Sequence, residues 1–106
     1  MQEITSEIFD KTVLASKKLT IVDFNADWCG PCRMQAPILE DLLSTSEDNY
    51  QIASVNIDSN PELAEKYSVS SIPCLVFFKD GEEQARFIGL QPKAKLEKTI
   101  EKILAA

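Results

Sequence analysis

The sequence contains no histidine. That removes Ser-His and Cys-His nucleophilic pairs and disfavours most zinc and haem sites, where imidazole is the usual base or ligand. Clustered basic charge is also missing: 11 Lys and Arg stand against 17 Asp and Glu, a net charge of −6. Nucleic-acid binding needs a stripe of Lys and Arg along the phosphates. The densest basic run, Lys93, Lys95, Lys98 and Lys102, is interleaved with Glu97 and Glu101 and reads as a solvated helix face. No apolar run approaches the ~20 residues of a membrane-spanning helix. The acidic opening, Met1 to Glu7, has no apolar stretch of signal-peptide length. The expectation is a soluble, cytoplasmic protein with neither nucleic acid nor membrane as partner.

Cysteine is scarce too. The count of three is odd, and two of the thiols stand three positions apart, unlike the framework of a small secreted domain. What is present suits one folded unit. Hydrophobic residues make up 44% of the chain, and a domain of this size buries about two-thirds of its unfolded surface, so a core forms without staples. No linker, repeat or composition break divides residues 1–106, which are expected to form one domain.

Hydrophobic periodicity predicts the elements. A weak strand at Met1 to Ile4 precedes a short helix capped by Thr5 or Ser6, with Ile8, Phe9, Val13 and Leu14 as its apolar stripe. Leu19 to Phe24 is nearly all apolar, the mark of a strand buried on both faces. A helix from about Cys32 to Ser44 sets Met34, Ile38, Leu39, Leu42 and Leu43 at helical spacing, with Pro37 inside it as a source of kinking. Gln51 to Ile57 reads as a strand. Asn60-Pro61 then caps and opens a helix through about Tyr67. Cys74 to Lys79 and Glu83 to Ile88 are strands joined by the hairpin signal Asp80-Gly81, hence antiparallel. A last helix begins near Pro92 and buries Leu96, Ile100, Ile103 and Leu104. Strands alternating with helices imply an α/β fold with a parallel or mixed sheet covered on both faces.

The chemistry sits between the first buried strand and the helix that follows. Cys29 falls at the helix N-terminus, where unpaired N–H groups and the positive end of the dipole stabilise a thiolate. Cys32 lies one turn on, on the same side, within disulfide reach. Pro31 is tolerated because a first-turn N–H has no intrahelical partner. These positions predict a division of labour. Cys29 attacks a substrate disulfide, and Cys32 resolves the mixed disulfide. Gly30 keeps the approach to Cys29 open, and Trp28 forms an apolar wall beside it. A structural zinc site needs a second pair of ligands, and only Cys74 remains, so no metal is expected.

The run Val22-Asp23-Phe24-Asn25-Ala26-Asp27-Trp28-Cys29-Gly30-Pro31-Cys32 resembles the thioredoxin family. So do Ala36-Pro37-Ile38-Leu39, Asn56-Ile57-Asp58, Ile72-Pro73, Phe77-Phe78-Lys79-Asp80-Gly81 and Gly89, across essentially the whole chain. The resemblance implies a thioredoxin fold, with a mixed sheet of about five strands flanked by four helices. It implies protein disulfide reduction by a monomer with no bound cofactor, recharged with electrons from NADPH by a thioredoxin reductase. Asp23 would be the buried acid that takes and returns the proton of Cys32. Pro73, by resemblance, follows a cis bond and packs against the dithiol, although an X-Pro bond is cis only about 5–6% of the time. Ile72 would pair with substrate backbone, and Gly89, Leu90 and Trp28 would complete the docking surface.

Three positions depart from the family pattern. Asn25 stands where an aromatic residue is usual, which is expected to loosen packing beside the active-site loop. Ser54 stands where many members carry Lys, so Asp23 is expected to stay protonated to higher pH. Cys74 follows Pro73 where Thr is common, and strand alternation turns it away from the dithiol, as a buried structural thiol. Alternative readings on the same fold are an oxidase or isomerase, a non-enzymatic binding subunit and a metal-bridged dimer. The uncharged Gly30-Pro31 pair favours reductase over oxidase, because a strong oxidant needs its reduced form stabilised.

Overall fold

The computed structural model describes residues 1–106. Strand β1 (Gln2–Glu3) leads into helix α1 (Ser6–Phe9), which continues as a π-helical turn over Asp10–Leu14. Then follow β2 (Leu19–Asn25), α2 (Gly30–Ser44), β3 (Tyr50–Asn56), α3 (Pro61–Lys66), β4 (Cys74–Lys79), β5 (Glu82–Ile88) and α4 (Lys93–Ala105). The five strands form one mixed sheet in the order β1-β3-β2-β4-β5. β1, β3 and β2 run parallel, whereas β4 and β5 are antiparallel additions. The thioredoxin fold predicted above is the one observed.

β2 lies at the centre because its residues suit burial on both sides: six of its seven are buried. Phe9, Val22, Phe24, Leu63, Val76 and Phe78 pack on the face covered by α1 and α3. Ile21, Leu39, Leu42, Leu75, Phe77 and Leu96 pack on the face covered by α2 and α4. Apolar side chains thus leave water on both faces of one sheet, the main favourable term in folding. The β4–β5 turn uses Asp80 and Gly81 at φ 54° and 79°, the positive values that a two-residue hairpin turn requires.

Several local expectations are corrected. α2 begins at Gly30, and its buried stripe is Cys32, Gln35, Leu39 and Leu42; Met34 is exposed, and Ile38 and Leu43 are half-buried. Leu104 of α4 is exposed as well. Neither Thr5 nor Asn60 caps its own helix through its side chain. Instead the Ser6 N–H donates to Asn60 Oδ1 at 3.0 Å, so one remote side chain satisfies a helix end that its neighbours do not.

Candidate active site

Ala26 and the following loop carry the chain from the end of β2 into α2. Cys29 is the N-cap of that helix, with extended backbone, and its Sγ accepts the Cys32 N–H at 3.2 Å. Pro31 occupies the first turn. Cys29 and Cys32 are joined as a disulfide with Cα atoms 5.2 Å apart, inside the usual range. The two are almost equally covered, 5% and 4% exposed, so exposure does not set one apart from the other. What separates them is position on the helix: Cys29 caps it and Cys32 lies inside its first turn.

Around the disulfide stand the other predicted residues. Ala26, Ile57 and Ile72 pack against the two cysteines, and the Ile72 carbonyl oxygen lies 3.9 Å from Cys29 Sγ. The Ile72–Pro73 bond is cis, as the family resemblance implied and the residue statistics alone did not. The Pro73 carbonyl accepts the Gly89 N–H at 2.8 Å, which ties the loop after β5 to the cis turn. Gly89 has φ +92°, a backbone conformation that favours glycine. Trp28 is 67% exposed and Leu90 is exposed too. The Trp28 indole N–H donates to Asp58 Oδ2 at 2.9 Å, so the ring is fixed by its polar edge. A Cβ at Gly30 would meet no atom within 4 Å, so no packing contact demands glycine there.

Asp23, on β2, is buried. Burial pushes its carboxyl up from 3.8 to about 6, against a smaller downward pull from the Asn25 amide. One of its oxygens, Oδ1, has no hydrogen-bonding partner in the protein. Asp23 and Cys32 line the same pocket of about 370 Å³, together with Asn25 and Ser54. Asn25 is half-buried at the wall of this pocket, where looser packing was expected, and its side chain is held by hydrogen bonds: the amide donates to Ser54 Oγ at 2.8 Å, the Asp23 carbonyl at 3.0 Å and Asp23 Oδ2 at 3.2 Å. Cys74 is buried on the opposite face with Val76 and Phe78, and burial raises its thiol further. No cluster of metal-ligating side chains is present, and no helix is long and apolar enough to cross a membrane.

Sequence reasoning missed Gln35. This fully buried amide on α2 pins the backbone of Gln91, next to Leu90. Its placement between Cys32 and Leu39 on one helix face was the available signal. Asp58 stood out only as part of a motif, without its bond to Trp28.

Residues 1–102 match the family model described as Thioredoxin. The chain belongs to the thioredoxin family. It is 50% identical over 99 residues to the thioredoxin of Chlamydia pneumoniae, covering 93% of this chain and 94% of that one. Against the thioredoxin of Rhodospirillum rubrum it is 44% identical over 101 residues, 95% and 97% of the two chains. Against thioredoxin 1 of Nostoc the identity is 40% over 102 residues, 96% and 95%. With the Cys29–Cys32 pair at disulfide distance, this membership makes the chain a dithiol–disulfide oxidoreductase. It is a protein-disulfide reductase, and its targets are disulfide-containing proteins.

Proposed function

We propose that residues 1–106 act as one monomeric cytoplasmic domain that reduces target disulfides with Cys29 as nucleophile, Cys32 as resolving thiol and Asp23 as proton carrier. The observation that carries the reading is the N-cap position of Cys29, whose Sγ receives the Cys32 N–H. A helix N-terminus favours negative charge, so the reduced sulfur at that point is held as the thiolate, the nucleophilic form.

The Cys29 thiolate attacks one sulfur of the target disulfide; a new S–S bond forms, and the other target sulfur leaves as a thiolate. The Cys32 thiol then passes its proton to the Asp23 carboxylate, through water in the shared pocket. Its thiolate attacks Cys29 Sγ, the intramolecular disulfide closes, and the second target sulfur departs with the electron pair. The target gains two electrons and the dithiol loses two. Trp28, Ile72, Pro73, Gly89 and Leu90 form the surface on which the target docks, with the Ile72 carbonyl 3.9 Å from Cys29 Sγ supporting that role. A thioredoxin reductase restores the dithiol with electrons from NADPH.

The test is NADPH oxidation with a thioredoxin reductase and insulin as the disulfide substrate. Turnover that requires all three components and this protein is expected. Absence of turnover, with the dithiol shown to be reduced by dithiothreitol, refutes the reductase-coupled reading.

A further inference from the structure

We propose that Asn25, held in place by Ser54, is the positioning residue of the Asp23 carboxyl: it anchors one oxygen and leaves the other to carry the proton of Cys32. The inference rests on the reading of Asp23 as proton carrier and extends it to two residues with no role so far.

Strand geometry brings the three together. Asp23 and Asn25 are two apart on β2, so their side chains share the face that α2 covers. Ser54 is the direct β3 neighbour of Asp23, so Asn25 reaches it on the diagonal. The Asn25 amide has two hydrogens and three acceptors within 3.2 Å: Ser54 Oγ, the Asp23 carbonyl and Asp23 Oδ2. A side chain tied at Ser54 and at backbone cannot turn away from the carboxyl. Asp23 Oδ1 receives no such bond, and the carboxyl borders the pocket that also reaches Cys32.

No neighbouring charge makes a bond to this carboxyl. Arg33 and Asp27 line the same pocket, but the Arg33 guanidinium donates to the Asp27 carbonyl at 2.7 Å. The Met1 ammonium, also at the pocket, pairs with Glu40 of α2. β4 places Leu75 opposite Asp23, with the Cys74 thiol next along on the other face, and β1 sets the exposed Glu3 opposite Ser54. Asn25 is therefore the one side chain that donates to this carboxyl. A donor to the charged form favours that form, whereas burial opposes it. The amide thus keeps a buried acid able to accept a proton near neutral pH, without placing a second charge in the core.

The proton balance is simple. Cys32 loses S–H as Asp23 Oδ1 gains O–H, and the charge on Asp23 Oδ2, stabilised by Asn25 before transfer, moves to sulfur for attack on Cys29. Removing the amide donor makes the carboxylate costlier and its protonated form persist to higher pH.

The test follows the Asp23 carboxyl carbon by NMR titration of the oxidised protein, in parallel with single-turnover release of a thiol from a Cys29 mixed disulfide. In Asn25→Leu the carboxyl midpoint is expected to rise by about one pH unit, the size of one charge-assisted hydrogen bond. The pH midpoint of thiol release should rise with it. Ser54→Ala keeps Asn25 but frees its amide, and should move both midpoints the same way by less. No movement of the carboxyl midpoint in either folded variant overturns the role given to Asn25. A moved carboxyl midpoint with an unmoved release profile also overturns it. In Asp23→Asn, a release profile equal to the parent's removes the proton-carrier reading itself, and the proposal with it.

Discussion

The side chain of Gln35 makes hydrogen bonds to both backbone groups of Gln91: its carbonyl accepts the N–H at 2.7 Å, and its amide donates to the carbonyl at 3.1 Å. A fully buried glutamine on α2 thereby fixes the loop that carries Gly89 and Leu90. Gln35→Leu keeps the volume and strands both backbone groups. The expected loss is about 2 kcal/mol of stability, the usual cost of unsatisfied buried polar groups. Because the loop belongs to the proposed docking surface, KM for a protein disulfide should rise more than kcat falls. Urea unfolding of the variant checks the first part, and unchanged stability would contradict it.

Asp23 also governs a pH dependence of stability. Its folded value of about 6 lies above the ordinary 3.8, so between those values the folded state binds more protons than the unfolded one. Stability contributed by this group is therefore present in full below about pH 4 and lost as pH rises through about 6. Asp23→Asn removes the charge that burial penalises. The variant should gain on the order of 2–3 kcal/mol at pH 7 and little at pH 3.5, since a tenfold change in proton affinity is worth ~1.4 kcal/mol. Denaturant unfolding at both pH values measures it; an equal gain at both would assign the effect to packing.

Much of this fold was legible because burial leaves local marks. The apolar run of β2 and the Asp80-Gly81 turn each announce their structure within a few residues. The misreadings share one cause: partners distant in sequence. Met34 looked like a core residue until Gln35, pinned by Gln91, took the centre of the helix face. Asn60 looked like the cap of α3, yet its side chain serves Ser6. Cys29 and Cys32 at the N-terminus of a helix were readable from spacing and periodicity, although the helix starts two residues earlier than expected, but the Asn25–Ser54 contact needs the β2–β3 register, and no periodicity encodes that. Each residue was visible singly as a departure from the family pattern. Their pairing was not.

Two glycines beside the site separate backbone from packing. A Cβ at either Gly30 or Gly89 would meet open space, but only Gly89 has a positive φ, at +92°. Gly89→Ala is therefore expected to cost about 1–2 kcal/mol through backbone strain alone. Gly30→Ala, at the start of α2, should leave stability within ~0.5 kcal/mol or raise it, because alanine loses less chain entropy in a helix. Thermal or urea midpoints of the two variants make the comparison. Equal losses at both positions would rule out conformation as the cause.

The proposed division between the two cysteines is open to a trapping experiment. Both cysteines are buried residues in the disulfide form, so residue exposure does not choose between them. Helix position does: the Cys32 N–H points at Cys29 Sγ, and Cys29 caps the helix. Cys32→Ser retains the attacking thiolate but has no resolving sulfur. Mixed with a disulfide-containing target, it should accumulate a covalent adduct through Cys29, visible on non-reducing gels and reversed by dithiothreitol. Cys29→Ser retains only a thiol inside the first turn, without the N-cap bond, and should trap at least about tenfold less under the same conditions, the cost expected for one lost hydrogen bond to charge. Cys74 is buried on the opposite face of the sheet, so the double variant of Cys29 and Cys32 should trap nothing. Equal trapping by the two single variants would mean that the N-cap bond does not select the nucleophile, and preferential trapping by Cys29→Ser would reverse the two roles.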